Sequence, residues 1–370
     1  MWRLSFSHDS CMRRLLLTCI SSLTSPLLNG FGGFALLAAS SALCLLSASS
    51  APATSGGFLR LLKGRNGGML LFYASRIKTI MSEFIDRLDA VVESQCEPMT
   101  GVIFSGGVDS SLLAVLAAAH CSVTAYTVGV EGAPDLPFAR SLKDSFHLEI
   151  INLTEGDIEA ELPKIVPIIK NVEGHVSPVR VGAELPSHFA SRLAAANGLK
   201  VMLSGQGPDE MFGGYARYIP LLLEQGYDAL ERLLKKDTME LKNGIIKIDR
   251  AVCARNGIQL RNPFLDGNFV EYGLSLDVKD RLWMGDKKPS HPHEEHEGSF
   301  IIRKFVEKRA AEELLPKEIV WRPKKAAQYG SGIHKALDRI ARRKGFKEKA
   351  RKQGSKQYLT MFLESYLEDG

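Results

Sequence analysis

Apolar runs and helical periodicities alternate along this chain from residue 83 onward. Gly101-Val102-Ile103-Phe104 carries no polar interruption, the mark of a strand buried on both faces. Leu112-Leu113-Ala114-Val115-Leu116-Ala117-Ala118-Ala119 follows and predicts a tightly packed helix of good helix formers. Residues 123–130 predict a second strand, 135–146 a helix and 147–153 a third strand. Residues 158–172 are helical in pattern, with Pro163 and Pro167 expected to start or bend the helix. Residues 186–197 predict a further helix closed by Gly198, and Lys200-Val201-Met202-Leu203 a fourth buried strand. Past Gly214 the pattern turns helical, with amphipathic stretches at 220–236 and 299–315 and a strongly basic one at 336–353. The expected fold class is α/β: a parallel sheet sandwiched by helices, with a helical C-terminal part. Ligands of such sheets bind at the carboxyl ends of the strands.

The first eighty residues do not share this pattern. Asp9 is their only acidic residue, Ser, Leu and Ala dominate, and residues 27–46 are nearly all small or apolar. One reading is a targeting presequence; the other makes residues 1–80 a non-catalytic extension and Met81 the natural start. The amphipathic helix at 83–92, directly after Met81, favours the second and divides the chain into 1–80 and a catalytic body at 81–370. Asn29 and several glycines and serines interrupt the apolar run, so it makes a poor spanning helix; for the body, too, no stable membrane insertion is expected. The six cysteines show no ligand-like spacing, which fits a reducing compartment. The expected location is the cytoplasm, or an organelle if residues 1–80 are a presequence. The chain carries a net charge of +5, and basic residues gather in the 336–353 stretch, where only Phe346 could stack on a base. A solvated helix face is expected there, and no nucleic-acid partner. Residues 286–298, with His291, His293 and His296, predict a solvated polar loop because proline breaks any regular presentation of metal ligands.

The chemistry gathers where two strands end in Ser-Gly. After the first strand stands Phe104-Ser105-Gly106-Gly107-Val108-Asp109-Ser110-Ser111. Two glycines let the backbone approach an anion, the serines add donors, and the following helix start adds unpaired N–H groups. Asp109 would be repelled by a bare phosphate and points to a bridging divalent cation, magnesium by preference. After the fourth strand stands Ser204-Gly205-Gln206-Gly207-Pro208-Asp209-Glu210-Met211-Phe212-Gly213-Gly214-Tyr215. Asp209 and Glu210 offer further oxygen ligands, and Asp109 and Asp209 could share one cation across a triphosphate. Arg261 to Asp266 predicts a rigid turn, and Arg322-Pro323-Lys324-Lys325 puts cations where a transferring phosphorus could be neutralised.

The first motif resembles the PP-loop, Ser-Gly-Gly-x-Asp-Ser, of ATP pyrophosphatases; no Gly-Lys-Ser/Thr follows, so it is not a Walker loop. Together the motifs resemble the synthetase domain of glutamine-dependent asparagine synthetases, in order from residue 83 to 332, within the adenine nucleotide alpha-hydrolase-like fold. The resemblance implies ATP and Mg2+ as cofactors. It places Phe104, Val128 and Gly129 against adenine, and Ser204 and Gly205 against ribose and α-phosphate. It gives Ser105, Gly106, Gly107, Asp109, Ser110 and the neighbouring Ser111 to pyrophosphate, and Asp109 and Asp209 to the metal. Lys324 matches the lysine that stabilises the adenylation transition state. Gln206, Asp209 and Glu210 complete the catalytic set.

The implied reaction is ATP-dependent ligation through an acyl-adenylate, aspartate to asparagine being the candidate, with AMP and pyrophosphate released. Two departures stand out. Neither Met1-Trp2 nor Met81-Ser82 offers a terminal cysteine to cleave glutamine, so the amine is expected as free ammonia or from a separate glutaminase subunit. The family's glutamate after Ser-Gly is Gln206 here, and its next serine is Pro208. Rivals are an adenylating amidotransferase with another substrate, or an ATP-binding regulatory homologue with little turnover.

Overall fold

Five parallel strands run through the centre of the protein: β1 Met99–Ile103, β2 Ser122–Val130, β3 His147–Leu153, β4 Val201–Leu203 and β5 Gln259–Arg261. Their order across the sheet is β3-β2-β1-β4-β5, and every pairing is parallel. The computed structural model describes residues 67–241, 244–323 and 326–368. Chain order reverses between β1 and β4, so the carboxyl ends of these two strands form the topological switch point. Phe104–Ser111 and Ser204–Tyr215 leave the sheet at this switch point.

Alternation along β2 shows why both faces are covered. Val123 and Ala125 join one apolar core with the helices Gly67–Gln95 and Val108–His120. Tyr126 and Val128 join a second core with the helices Glu155–Glu173, Pro178–Ala196, Ile333–Arg343 and Tyr358–Glu368. Successive side chains of a strand point to opposite faces, so a continuous apolar run feeds two cores at once.

Several elements differ from the sequence expectation. The helix expected at 135–146 ends at Arg140 and gives way to turns. The helix expected from 186 begins at Pro178, capped by Ser177, and runs straight through Pro186. Likewise Glu155–Glu173 spans both Pro163 and Pro167, held at its start by a Thr154–Asp157 capping box. The short strand β5, not expected from the pattern, ends at Arg261 where the expected turn begins, and extends the sheet by one strand; Pro263–Leu265 then forms a single helical turn. The stretch at 299–315 is not one helix: it is a strand followed by the helix Phe305–Ala311.

That strand belongs to a small antiparallel sheet of β6 Trp283–Gly285, β7 Glu294–His296 and β8 Ser299–Ile302, ordered β6-β8-β7. Glu297 and Gly298 both have positive φ, the conformation that joins a tight hairpin. The expected polar loop is therefore in part a hairpin, and His291 is stacked on Trp321 with ring centroids 4.9 Å apart.

The helix at the amino end also starts earlier than expected. It runs Gly67–Gln95, straight through Met81, and Leu70–Gly370 forms one compact unit. Ile77, Ile80 and Met81 pack on the core, and Arg76 pairs with the buried Asp280 at 2.7 Å. In the basic stretch, Arg339 and Arg343 pair with Glu155, and Lys344 with Glu159, so part of its charge is neutralised within the fold. Among the described residues no helix is long and apolar enough to cross a membrane.

Candidate functional site

Gly106 turns the chain out of β1 with φ +65°, and a Cβ there would lie 2.7 Å from the Ala139 nitrogen. No other residue fits that turn without displacing backbone. The loop is then tied by its serines. The Ser105 N–H donates to Ser110 Oγ at 3.2 Å, and the Gly107 N–H donates to Ser105 Oγ at 3.3 Å. Gly107 caps the helix Val108–His120 without a side chain, so the first-turn N–H groups have no side-chain cap. The second loop packs directly on the first: a Cβ on Gly205 would stand 3.1 Å from Asp109 Cβ and from the Ser110 nitrogen.

Two cavities open on either side of these loops. The larger, about 520 Å³, is lined by Phe104, Ser105, Asp109, Ser110, Val128, Ser204, Gly205, Gln206 and Asp209, among others. Its size suits a nucleotide. Of the expected residues, Gly106, Ser111, Gly129 and Glu210 line neither cavity; Ser111 is fully buried and Gly106 serves the turn. Lys324 lies outside the described residues. The smaller cavity, about 390 Å³, shares Ser105, Asp109 and Asp135 with the larger and adds Arg303, Lys304, Lys308 and Arg322. Arg322 donates to the Ser105 carbonyl at 2.9 Å, pairs with Asp135, and lies 4.1 Å from the Phe138 ring centre. It ties the Ser105 loop to Asp135.

Asp109 and Asp209 do converge on a single point. The Lys304 ammonium stands there, 2.6 Å from Asp109 Oδ1 and 2.8 Å from Asp209 Oδ1, with Glu307 at 3.8 Å. Burial alone would lower the Lys304 ammonium, but the three carboxyl groups outweigh it and hold it above the usual lysine range. Glu307 is pushed up well beyond an ordinary carboxylate by burial, against the pull of Lys304. Oxygen donors of this kind suit magnesium, which takes one or two carboxylates and completes its shell with phosphates and water. Among the described residues no group of three or more His, Cys, Asp or Glu is arranged to hold a metal.

Glu210 sits behind Asp209. Burial and the neighbouring Asp209 push its carboxyl up to about 7, although the Tyr215 hydroxyl donates to it at 2.7 Å. Gln206 hydrogen-bonds Asp249 on the helix Ile245–Arg255, and Asp249 forms a buried acid pair with Glu184 on the helix Pro178–Ala196. Burial and the charge of Asp249 hold Glu184 protonated well above the usual carboxylate range. Arg180 lies 3.7 Å from Glu184 and lines the larger cavity.

Lys304, Lys308, Asp135 and the Glu184–Asp249 pair were not legible as site residues. Lys304 in particular sits in a stretch whose pattern reads as one amphipathic helix. Its side chain reaches the site because β8 ends at Ile302 and the backbone then turns through a left-handed Lys304.

The family described as asparagine synthase matches this chain over residues 83–244 and 224–368. A Methanocaldococcus jannaschii protein, provisionally described as glutamine-hydrolysing asparagine synthetase 1, is 36% identical over 267 residues, covering 67% of this chain and 49% of that protein. The glutamine-hydrolysing asparagine synthetases of Cricetulus griseus and Brassica oleracea are 30% and 31% identical over 273 and 252 residues. Those alignments cover 70% and 63% of this chain, and 45% and 39% of the two proteins. The chain thus spans about half the length of the relatives it matches or less. With the motif order, the sheet topology and this match over most of its length, the chain belongs to the asparagine synthase family.

Proposed function

We propose that this protein is an ATP-dependent amide-forming ligase that adenylates a carboxylate and releases AMP and pyrophosphate. Aspartate is the candidate carboxylate, and ammonia, free or delivered by a separate glutaminase subunit, the candidate amine. The observation that carries the reading is the meeting of the Ser105–Ser110 and Ser204–Asp209 loops at the switch point, above a cavity of about 520 Å³. Adenine would rest against Phe104 and Val128, and the phosphates against the serine-tied loop at the helix start.

In this reading the substrate carboxylate oxygen attacks the α-phosphorus, and the bond to the bridging oxygen of pyrophosphate breaks. The loop N–H groups and Ser105 and Ser110 take up the negative charge of the departing group. Arg322 keeps Ser105 in position, and Lys324 is the candidate cation at the transferring phosphorus. Asp109 and Asp209 would hold magnesium, which neutralises phosphate charge. The amine then attacks the acyl carbon and AMP leaves.

Gln206 favours a second reading, an ATP-binding homologue with little turnover, because a neutral amide cannot accept the proton of the attacking amine. Chromatography of the nucleotide products, with a panel of carboxylates and with or without ammonia, separates the two. AMP in step with amide supports the ligase; ADP overturns it; unchanged ATP with retained binding selects the second reading.

A further inference from the structure

A lysine at the point shared by two candidate metal ligands is a built feature. Lys304 has φ 56° and ψ 41°, a left-handed conformation that a non-glycine residue adopts only under strain. Its N–H donates to the Phe212 carbonyl at 3.1 Å, which fixes that turn against the second loop. The side chain is 3% exposed and passes beside Gly214, where any Cβ would collide with the Lys304 Cε and with Asp209. Backbone strain, a glycine-lined passage and two ion pairs all deliver one ammonium to one point.

Magnesium bound by the same two oxygens would stand about 2.0–2.1 Å from each. The ammonium stands only slightly farther out, so the two cations compete for one place. In the protein alone, displacing Lys304 leaves a buried ammonium without its partners, a loss that a hydrated metal with two carboxylates does not offset. A nucleotide changes the balance, because its phosphates supply metal ligands and a new anion for the lysine. Lys304 already lines the smaller cavity beside Ser105 and Gly107, so it needs to turn only a short way.

We propose that Lys304 is the internal cation of the Asp109–Asp209 pair and makes divalent-metal binding conditional on nucleotide. The inference rests on the reading of this pair as the seat of a metal–nucleotide complex.

The test is Mn2+ binding by the full chain, followed by the loss of the free-ion electron paramagnetic resonance signal, without nucleotide and with the uncleavable analogue α,β-methylene ATP. The natural protein alone is expected to show no tight site, and with the analogue one site beyond the Mn2+ that the analogue itself holds. Lys304→Gln is expected to gain a nucleotide-free site at least tenfold tighter than the natural protein. Adding Asp209→Asn to it should remove that gain, and Lys304→Arg should not acquire it. A natural protein that binds one Mn2+ without nucleotide as tightly as Lys304→Gln overturns the proposal, as does a folded Lys304→Gln that gains no site. If Lys304→Gln does not fold, the natural protein decides alone: equal Mn2+ affinity with and without the analogue overturns it. No turnover enters these readouts, so a failure of amide synthesis leaves them intact, and magnesium-dependent AMP release without the Mn2+ pattern sinks this inference alone.

Discussion

Replacing Lys308 by methionine should make the protein more stable at neutral pH and a poorer enzyme. Lys308 lines the smaller cavity, half-buried, and among the described residues no carboxylate lies within ion-pair reach of its ammonium. Burial, followed by the charges of Lys304 and Arg303, lowers it from 10.5 to about 8. A shift of that size corresponds to roughly 3 kcal/mol at 1.36 kcal/mol per pH unit. Solvent in the open cavity screens it to about 1–2 kcal/mol. The ammonium lies 5.3 Å from the Trp321 ring centre, a contact worth about 0.5–1 kcal/mol that a methionine sulfur largely replaces. The net gain for Lys308→Met is about 1 kcal/mol, or a rise in Tm of about 2–3 °C at pH 7.

The pH dependence separates charge from packing. The folded-state pKa is depressed, so between about 8 and 10.5 the unfolded chain binds the additional proton and the natural protein gains stability as pH rises. A methionine side chain has no such proton, so the advantage of Lys308→Met is full below pH 8 and fades towards pH 10.5. Thermal melts at pH 7 and pH 10 measure it. A variant less stable at pH 7, or one with the same advantage at both pH values, would refute the reasoning. The catalytic half is read from inhibition by inorganic pyrophosphate: losing a cation beside the phosphate loop should weaken it about tenfold while ATP binding changes little.

Two further outcomes are expected. The natural protein should form asparagine from aspartate, ATP and ammonia slowly, and Gln206→Glu should raise the rate about a hundredfold or more, by restoring a group that can accept the amine proton; a natural enzyme already fast and unmoved by the substitution would show that position 206 carries no proton chemistry. A chain beginning at Met81 should fold but melt several degrees lower, because it loses the packing of Ile77 and Ile80 and strands the buried Asp280 without Arg76, together about 2–4 kcal/mol; equal Tm for the two chains would show that the helix before Met81 contributes nothing.

The sequence by itself determined the parts whose signals are local. An apolar run, a glycine pair, hydroxyls and a helix former in succession dictate a strand, a tight loop and a helix start, so the loops Ser105–Ser110 and Ser204–Asp209 were legible at the ends of two strands. The alternation of strands and helices determined a parallel sheet and hence the edge on which the site lies. What only the tertiary structure decided depends on residues far apart in the chain. Nothing in the run around Lys304 signals a left-handed turn, because a positive φ at lysine is imposed by the docking of β8 and the Phe212 carbonyl and not by the residue's own preference. Gln206 meets Asp249 only where the helix Ile245–Arg255 packs beside the second loop, and Arg322 meets Asp135 only where the C-terminal part folds back on the first. Whether Asp109 and Asp209 hold a metal or a lysine was equally beyond the local pattern. The two carboxylates are local to their loops, but the lysine that pairs with both is delivered from far along the chain by the fold.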